Sequence, residues 1–263
     1  MRTKTLAAVV ACAIAAGAEA KVQTKEIEYK QGDTPLQGFL AWDDAAKGKR
    51  PGILVIHEWW GHNQHARNQA IRLAEAGYVG FALDMYGKGK VAEPTHPQDA
   101  KTFMMEATKD PQELRARFDA AMDVLKKQPQ VDPAKIGAVG YCFGGGVALN
   151  MARAGEPLTA VATFHASLAP MGPPAQPGQV KTHILVQTGG ADPNIPKQAV
   201  EAFEKEMKDA GADAKVIVYP GAKHSFTNPD ADKAGMAALA YDPQVDKKSF
   251  AEAKTFFKRA FGS

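Results

Sequence analysis

The residues with the clearest chemical meaning are Gly140-Tyr141-Cys142-Phe143-Gly144, preceded by a short apolar run and followed by Val147-Ala148-Leu149. This is the G-x-S-x-G nucleophile-elbow pattern with cysteine in the serine position. A turn that tight between strand and helix demands glycine on both sides and lifts the central side chain above the sheet edge. The helix N-terminus there favours a thiolate. Gly144-Gly145-Gly146 could instead cradle a phosphate, but neither the Lys-Ser/Thr of a P-loop nor the G-x-G-x-x-G spacing is present. An elbow nucleophile needs an acid and a base, and they follow it in the order acid, then histidine. Asp192 comes just after the apolar run 182–188, and His224 just after 214–219. Alone, each reads as an ordinary turn or loop residue. Together and in order they read as a Cys142, His224, Asp192 triad.

A second cluster, His57-Glu58-Trp59-Trp60-Gly61, follows the run 52–56. It sits where the other half of an oxyanion hole arises in such sheets, so the backbone N–H groups of Trp59 and Phe143 are the candidate donors. His57 and His62 are five apart across a glycine, whereas a zinc helix needs its histidines four apart, so no metal is expected. Trp59, Trp60, Tyr86, Phe143 and Phe226 could line an apolar pocket or belong to the core. His165, after its own strand, reads more readily as a loop histidine than as a site residue.

The elements that must hold these groups are legible as periodicity. Segments 22–29 and 36–42 alternate polar and apolar residues around Gln31-Gly32-Asp33, predicting an antiparallel hairpin. Segments 52–56, 79–84, 136–141, 158–165, 182–188 and 214–219 are nearly continuous apolar runs, as in parallel strands buried on both faces. Helical patterns cover 65–76, 111–127, 197–210 and 247–261, with Gly77 and Gly211 as stops and Pro111 in a first turn. This alternation specifies a doubly wound, three-layer α/β sheet as one domain over residues 21–263. Segments 87–97, 169–179 and 227–232 are irregular and could wall a site at the carboxyl ends of the strands.

Arg2 and Lys4, the apolar stretch 6–16 and Ala18-Glu19-Ala20 form the pattern of a cleavable export signal over residues 1–20. The apolar stretch is well short of the roughly 20 residues that span a bilayer. The expectation is a chain released to the bacterial periplasm or secreted, with no membrane partner after cleavage. Cys12 would leave with the signal, so Cys142 could form no internal disulfide and no C-x-x-C exchange; it is there for packing or for chemistry. The formal charge of +3 and the absence of a long Lys/Arg block give no sign of a nucleic-acid partner.

Taken together, Glu58-Trp59-Trp60-Gly61, Asp84-Met85-Tyr86, the Cys142 elbow, Asp192 and His224-Ser225-Phe226 resemble the dienelactone hydrolase family, carboxymethylenebutenolidase-like members of the α/β-hydrolase superfamily. The resemblance implies cofactor-free hydrolysis of a small ester or lactone through a thioester on Cys142, by a monomer or small homo-oligomer. It also implies that Glu58 interacts with the resting thiol and helps generate the thiolate. Family members that cleave dienelactones grip the substrate carboxylate with two arginines; those places hold Lys88 and Asn228 here. Lys can still pair with a carboxylate as a point charge, but Asn cannot. Competing readings are a broad carboxylesterase or thioesterase and, from another class, a non-catalytic binding module on the same fold. The module would be expected to show a broken triad.

Overall fold

The computed structural model describes residues 22–262; the proposed export signal and Cys12 lie outside the described residues. Eight strands form one sheet: β1 (Val22–Gln31), β2 (Thr34–Asp43), β3 (Arg50–Ile56), β4 (Val79–Leu83), β5 (Val131–Tyr141), β6 (Ala160–Phe164), β7 (His183–Gly189) and β8 (Ala214–Tyr219). Their spatial order is β1-β2-β4-β3-β5-β6-β7-β8. β1 and β2 pair antiparallel about the expected turn, β2 joins β4 antiparallel, and the remaining pairings are parallel.

The interleaved helices are α1 (Gln64–Glu75), α2 (Pro97–Thr108), α3 (Pro111–Lys126), α4 (Phe143–Arg153), α5 (Lys197–Asp209) and α6 (Pro243–Phe261). Alternate residues of the central strands face opposite layers. Leu54 and Ile56 of β3 and Ile136 and Ala138 of β5 pack in one core with Phe118 of α3, Val147 of α4 and Phe203 of α5. Ile53, Val55, Val139 and Tyr141 turn to the other core, with Leu73 of α1 and Phe257 of α6. Three layers therefore stand as the alternation of strands and helices requires.

Caps explain the helix starts. Asp110 and Asp242 accept backbone hydrogen bonds from Gln112 (2.8 Å) and Gln244 (3.0 Å), and Pro111 and Pro243 occupy the adjoining first positions. Helix α6 consequently begins one turn before the predicted 247. Helix α2 is absent from the sequence reading. His96 gives it no side-chain cap, and its helical repeat is short, running through Ala100, Phe103, Met104 and Ala107. Its anchorage is tertiary: Phe103 and buried Ala100 pack with Trp60, Ala92 and Leu239 in a small satellite core. No described helix is long and apolar enough to cross a membrane.

Candidate active site

The elbow is the junction of β5 and α4. Cys142 has φ 52° and ψ −116°, a conformation strained for any residue with a Cβ. Its neighbours show why this strain is held. A Cβ on Gly140 would strike the Gly144 carbonyl, and one on Gly144 would strike the carbonyls of Ile56 and His57. The amide of Gly144 donates to His57 O at 3.1 Å, tying the elbow to the end of β3, and the Cys142 amide donates to Phe164 O at 3.0 Å. Besides Cys142, two described non-glycine residues have positive φ, His165 (42°) and Ser225 (56°), and both belong to the same site.

His224 Nδ1 meets Asp192 Oδ2 at 2.7 Å, with both side chains almost wholly buried. The other Asp192 oxygen accepts from the Asn194 amide at 2.8 Å, which fixes the carboxylate plane. With Nδ1 engaged, Nε2 is the nitrogen left for Cys142. The Cys142 sulfur acts on the ring both as a hydrogen-bond partner and by its charge. Burial works against a charge on His224; the Cys142 sulfur and the Asp192 hydrogen bond outweigh it and raise the imidazole pKa from 6.5 to about 10. The structure thus brings Cys142, His224 and Asp192 together on the carboxyl edge of the sheet.

The Glu58 side chain is 2% exposed as a residue, yet both its oxygens are satisfied. Ser225 Oγ donates to Oε1 at 2.7 Å, and Asn228 Nδ2 donates to Oε2 at 2.5 Å. Among the described residues Glu58 has no hydrogen bond to Cys142, so the expected contact with the resting thiol is replaced by this clasp. Asn228 is correspondingly a partner of Glu58, not a free group awaiting a substrate carboxylate. The backbone beneath is fixed by His57, whose Nδ1 donates to Glu58 O (2.6 Å) while Nε2 accepts from the Met85 amide (3.2 Å). Burial lowers the His57 pKa and keeps it neutral, as that pair of bonds requires.

Other expected site residues fall differently. Phe226 is fully buried among Phe164, His165 and Tyr219 and packs beneath the histidine loop. Trp60 is buried in the satellite core, leaving half-buried Trp59 as the indole on the accessible side. Tyr86 is also buried; its OH donates to Trp59 O at 3.1 Å and its ring lies 5.4 Å from that of Phe143. It braces the two segments that carry the candidate oxyanion donors. Neither the Trp59 nor the Phe143 amide donates to a backbone acceptor outside regular elements among the described residues, and Phe143 opens α4, where the first amides lack intrahelical acceptors. Lys88 is drawn to the surface by Glu28, 2.6 Å from its ammonium. The charge beside the sulfur thus comes from the His224 imidazolium and the helix dipole, and Lys88 is directed elsewhere.

Sequence reasoning missed three contributors. Ser225 was part of the motif but had no role; Thr227 had none either. His165 is fully buried, 5.1 Å from the His224 ring centroid, with Nε2 2.9 Å from Thr227 Oγ1. Burial first, then the proximity of His224, drives its pKa well below 6.5, so it remains a neutral ring against the His224 imidazole. Its positive φ at a strand end was not visible in residue types. Among the described residues no group of three or more His, Cys, Asp or Glu could hold a metal ion.

Comparison with known proteins agrees with this geometry. The model of the dienelactone hydrolase family matches residues 36–261. Protein usf of Aquifex pyrophilus is 28% identical, with 88% of this chain and 96% of that protein covered. A dienelactone hydrolase-like promiscuous phosphotriesterase from metagenomic libraries superposes with a TM-score of 0.84 at 34% identity, covering 91% of this chain and 99% of that one. The structure described as m3DLH gives 0.86 at 38% identity over the same shares. More distant α/β hydrolases, such as one from a deep-sea metagenome at 14% identity and a TM-score of 0.64, share the fold. The chain belongs to the dienelactone hydrolase family.

Proposed function

We propose that the protein hydrolyses small, uncharged esters or lactones by covalent catalysis at Cys142. The observation that carries this reading is the strained Cys142 at the head of α4 beside a His224 that is itself held by Asp192 at 2.7 Å. In the acylation step the Cys142 thiolate attacks the carbonyl carbon, and the electron pair moved onto oxygen is received by the Trp59 and Phe143 amides. The intermediate collapses to a thioester. The departing alkoxide takes the Nε2 proton of His224. The now neutral imidazole then removes a proton from water, hydroxide adds to the thioester, and the thiolate leaves while the acid is released. Asp192 holds the tautomer throughout.

The preference for uncharged substrates follows from Lys88, which is paired with Glu28, and from Asn228, which is occupied by Glu58. A substrate carboxylate would find neither Lys88 nor Asn228 free to pair with it. The 34% identical phosphotriesterase suggests a further class, neutral phosphotriesters, in which attack of the thiolate on phosphorus puts negative charge on the phosphoryl oxygen facing the same donors as the alkoxide leaves. The test is a panel comprising an aryl acetate, a dienelactone carboxylate, an acyl thioester and an aryl phosphotriester, run with wild type, Cys142→Ala and Asn228→Arg. Neutral esters should dominate in wild type, folded Cys142→Ala should lose roughly 10³-fold or more in kcat, and Asn228→Arg should gain on the anionic lactone alone. A wild type that prefers the carboxylate-bearing lactone would refute the substrate class while leaving the triad standing. Inactivity across the panel would favour a binding module.

A further inference from the structure

Basic side chains scattered through the sequence converge at the edge of the sheet opposite Cys142. Lys49 and Arg50 enter β3, Lys135 lies in β5, and Lys254 and Lys258 are on the last turns of α6; with Asp132 they line a groove of about 600 Å³. These are five cations to one carboxylate, and that carboxylate is committed to a turn, accepting from the Ala134 amide at 3.1 Å. None of the four lysines is within ion-pair distance of an acid among the described residues. What distinguishes them from the other lysines without an ion pair is their convergence on one concave surface. Arg50 is only 8% exposed, and its Nε has no hydrogen-bond partner although Nη1 donates to Asp43 O at 2.7 Å. Lys135 donates to Phe261 O at 2.9 Å, which holds its ammonium in the groove wall.

Like charges gathered in a concave surface focus a positive potential, repel one another, and reward an anion that occupies the space. The structure assigns this groove as a binding site for a ligand carrying two or more phosphate groups. Lysine suits such a ligand, since ammonium groups meet phosphate oxygens as point charges without a fixed approach plane. Six strand residues lie between Lys135 and Cys142, a separation of roughly 20 Å along β5. The ligand therefore does not enter the ester-cleaving reaction, and the inference is independent of the triad.

The probes are tripolyphosphate, followed by titration calorimetry, and vesicles of phosphatidylcholine with or without phosphatidylglycerol, followed by co-sedimentation. Wild type is compared at low salt with Lys254→Glu/Lys258→Glu and with a charge-matched control, Lys101→Glu/Lys109→Glu, altered on and just after α2. Tripolyphosphate should bind wild type and the control, and weaken about tenfold or more in the groove variant and on adding salt. Aryl acetate turnover should be unchanged in the groove variant. Binding to anionic vesicles alone, lost in the groove variant and kept in the control, would identify lipid headgroups as the phosphate source. No binding to either probe, or equal loss in both double variants, would overturn the proposal.

Discussion

At the scale of single residues, this site is governed by which group holds which. Cys142, Asp192 and His224 were legible because each has a fixed order and a fixed place after its own strand. Glu58 was legible as a participant but not by its partners: Ser225 Oγ and Asn228 Nδ2 reach it from 167 and 170 positions away. Phe226 and Trp60 were read as pocket candidates, yet an aromatic type does not disclose which side of a loop it faces. His165 was undervalued for a similar reason, since its contact with His224 depends on two loops meeting. The raised His224 pKa gives a pH prediction. Its folded value of about 10 exceeds the ordinary 6.5, so the stability due to the bound proton is complete below about pH 6.5 and is lost as pH rises toward 10. The melting-temperature difference between wild type and His224→Asn should be largest at the acid end of that window and close by its alkaline end. A difference that widens with pH would show that the imidazole is not held protonated.

At the scale of elements, the elbow works because β3, β5 and α4 approach more closely than side chains allow. Glycine at 140 and 144 was expected from the turn, but what Gly144 avoids, the carbonyls of Ile56 and His57, became visible only in three dimensions. Gly144→Ala should therefore push α4 away from β3 and cost on the order of 1–3 kcal/mol of stability. It should also displace the Phe143 amide, lowering kcat more than it raises KM. Denaturant unfolding together with steady-state kinetics on an aryl acetate would check both; a variant with wild-type kcat would mean that the amide is not a donor. Strands were legible because continuous apolar runs leave few alternatives in a sheet covered on both faces. Helix α2 was not, because its apolar repeat is short and uncapped and tertiary contacts with Trp60 and Ala92 hold it in place.

At the scale of the whole molecule, the two faces of the sheet bear different loads. The face covered by α3, α4 and α5 supports the Cys142 elbow directly, whereas the face covered by α1 and α6 carries an aromatic core in which Phe257 is fully buried beside Tyr78 and Phe261. Phe257→Ala should cost about 3–5 kcal/mol and lower the melting temperature while leaving KM for an aryl acetate unchanged below it. A rise in KM would show that this face reaches the site. The layered α/β architecture could be read from the order of elements, but the basic groove could not, because its lysines come from three stretches of chain that only the closed sheet brings together.

The central claim is that Cys142 becomes acylated and that His224 drives its release. The most direct measurement is the intact mass of wild type, Cys142→Ala and His224→Gln quenched shortly after mixing with an aryl acetate, with the adduct mapped by peptide digestion. The account predicts an added acetyl group on Cys142, brief in wild type, long-lived in His224→Gln at alkaline pH, and absent from Cys142→Ala. Turnover without any adduct on Cys142, or an adduct on another residue that persists in Cys142→Ala, would contradict it.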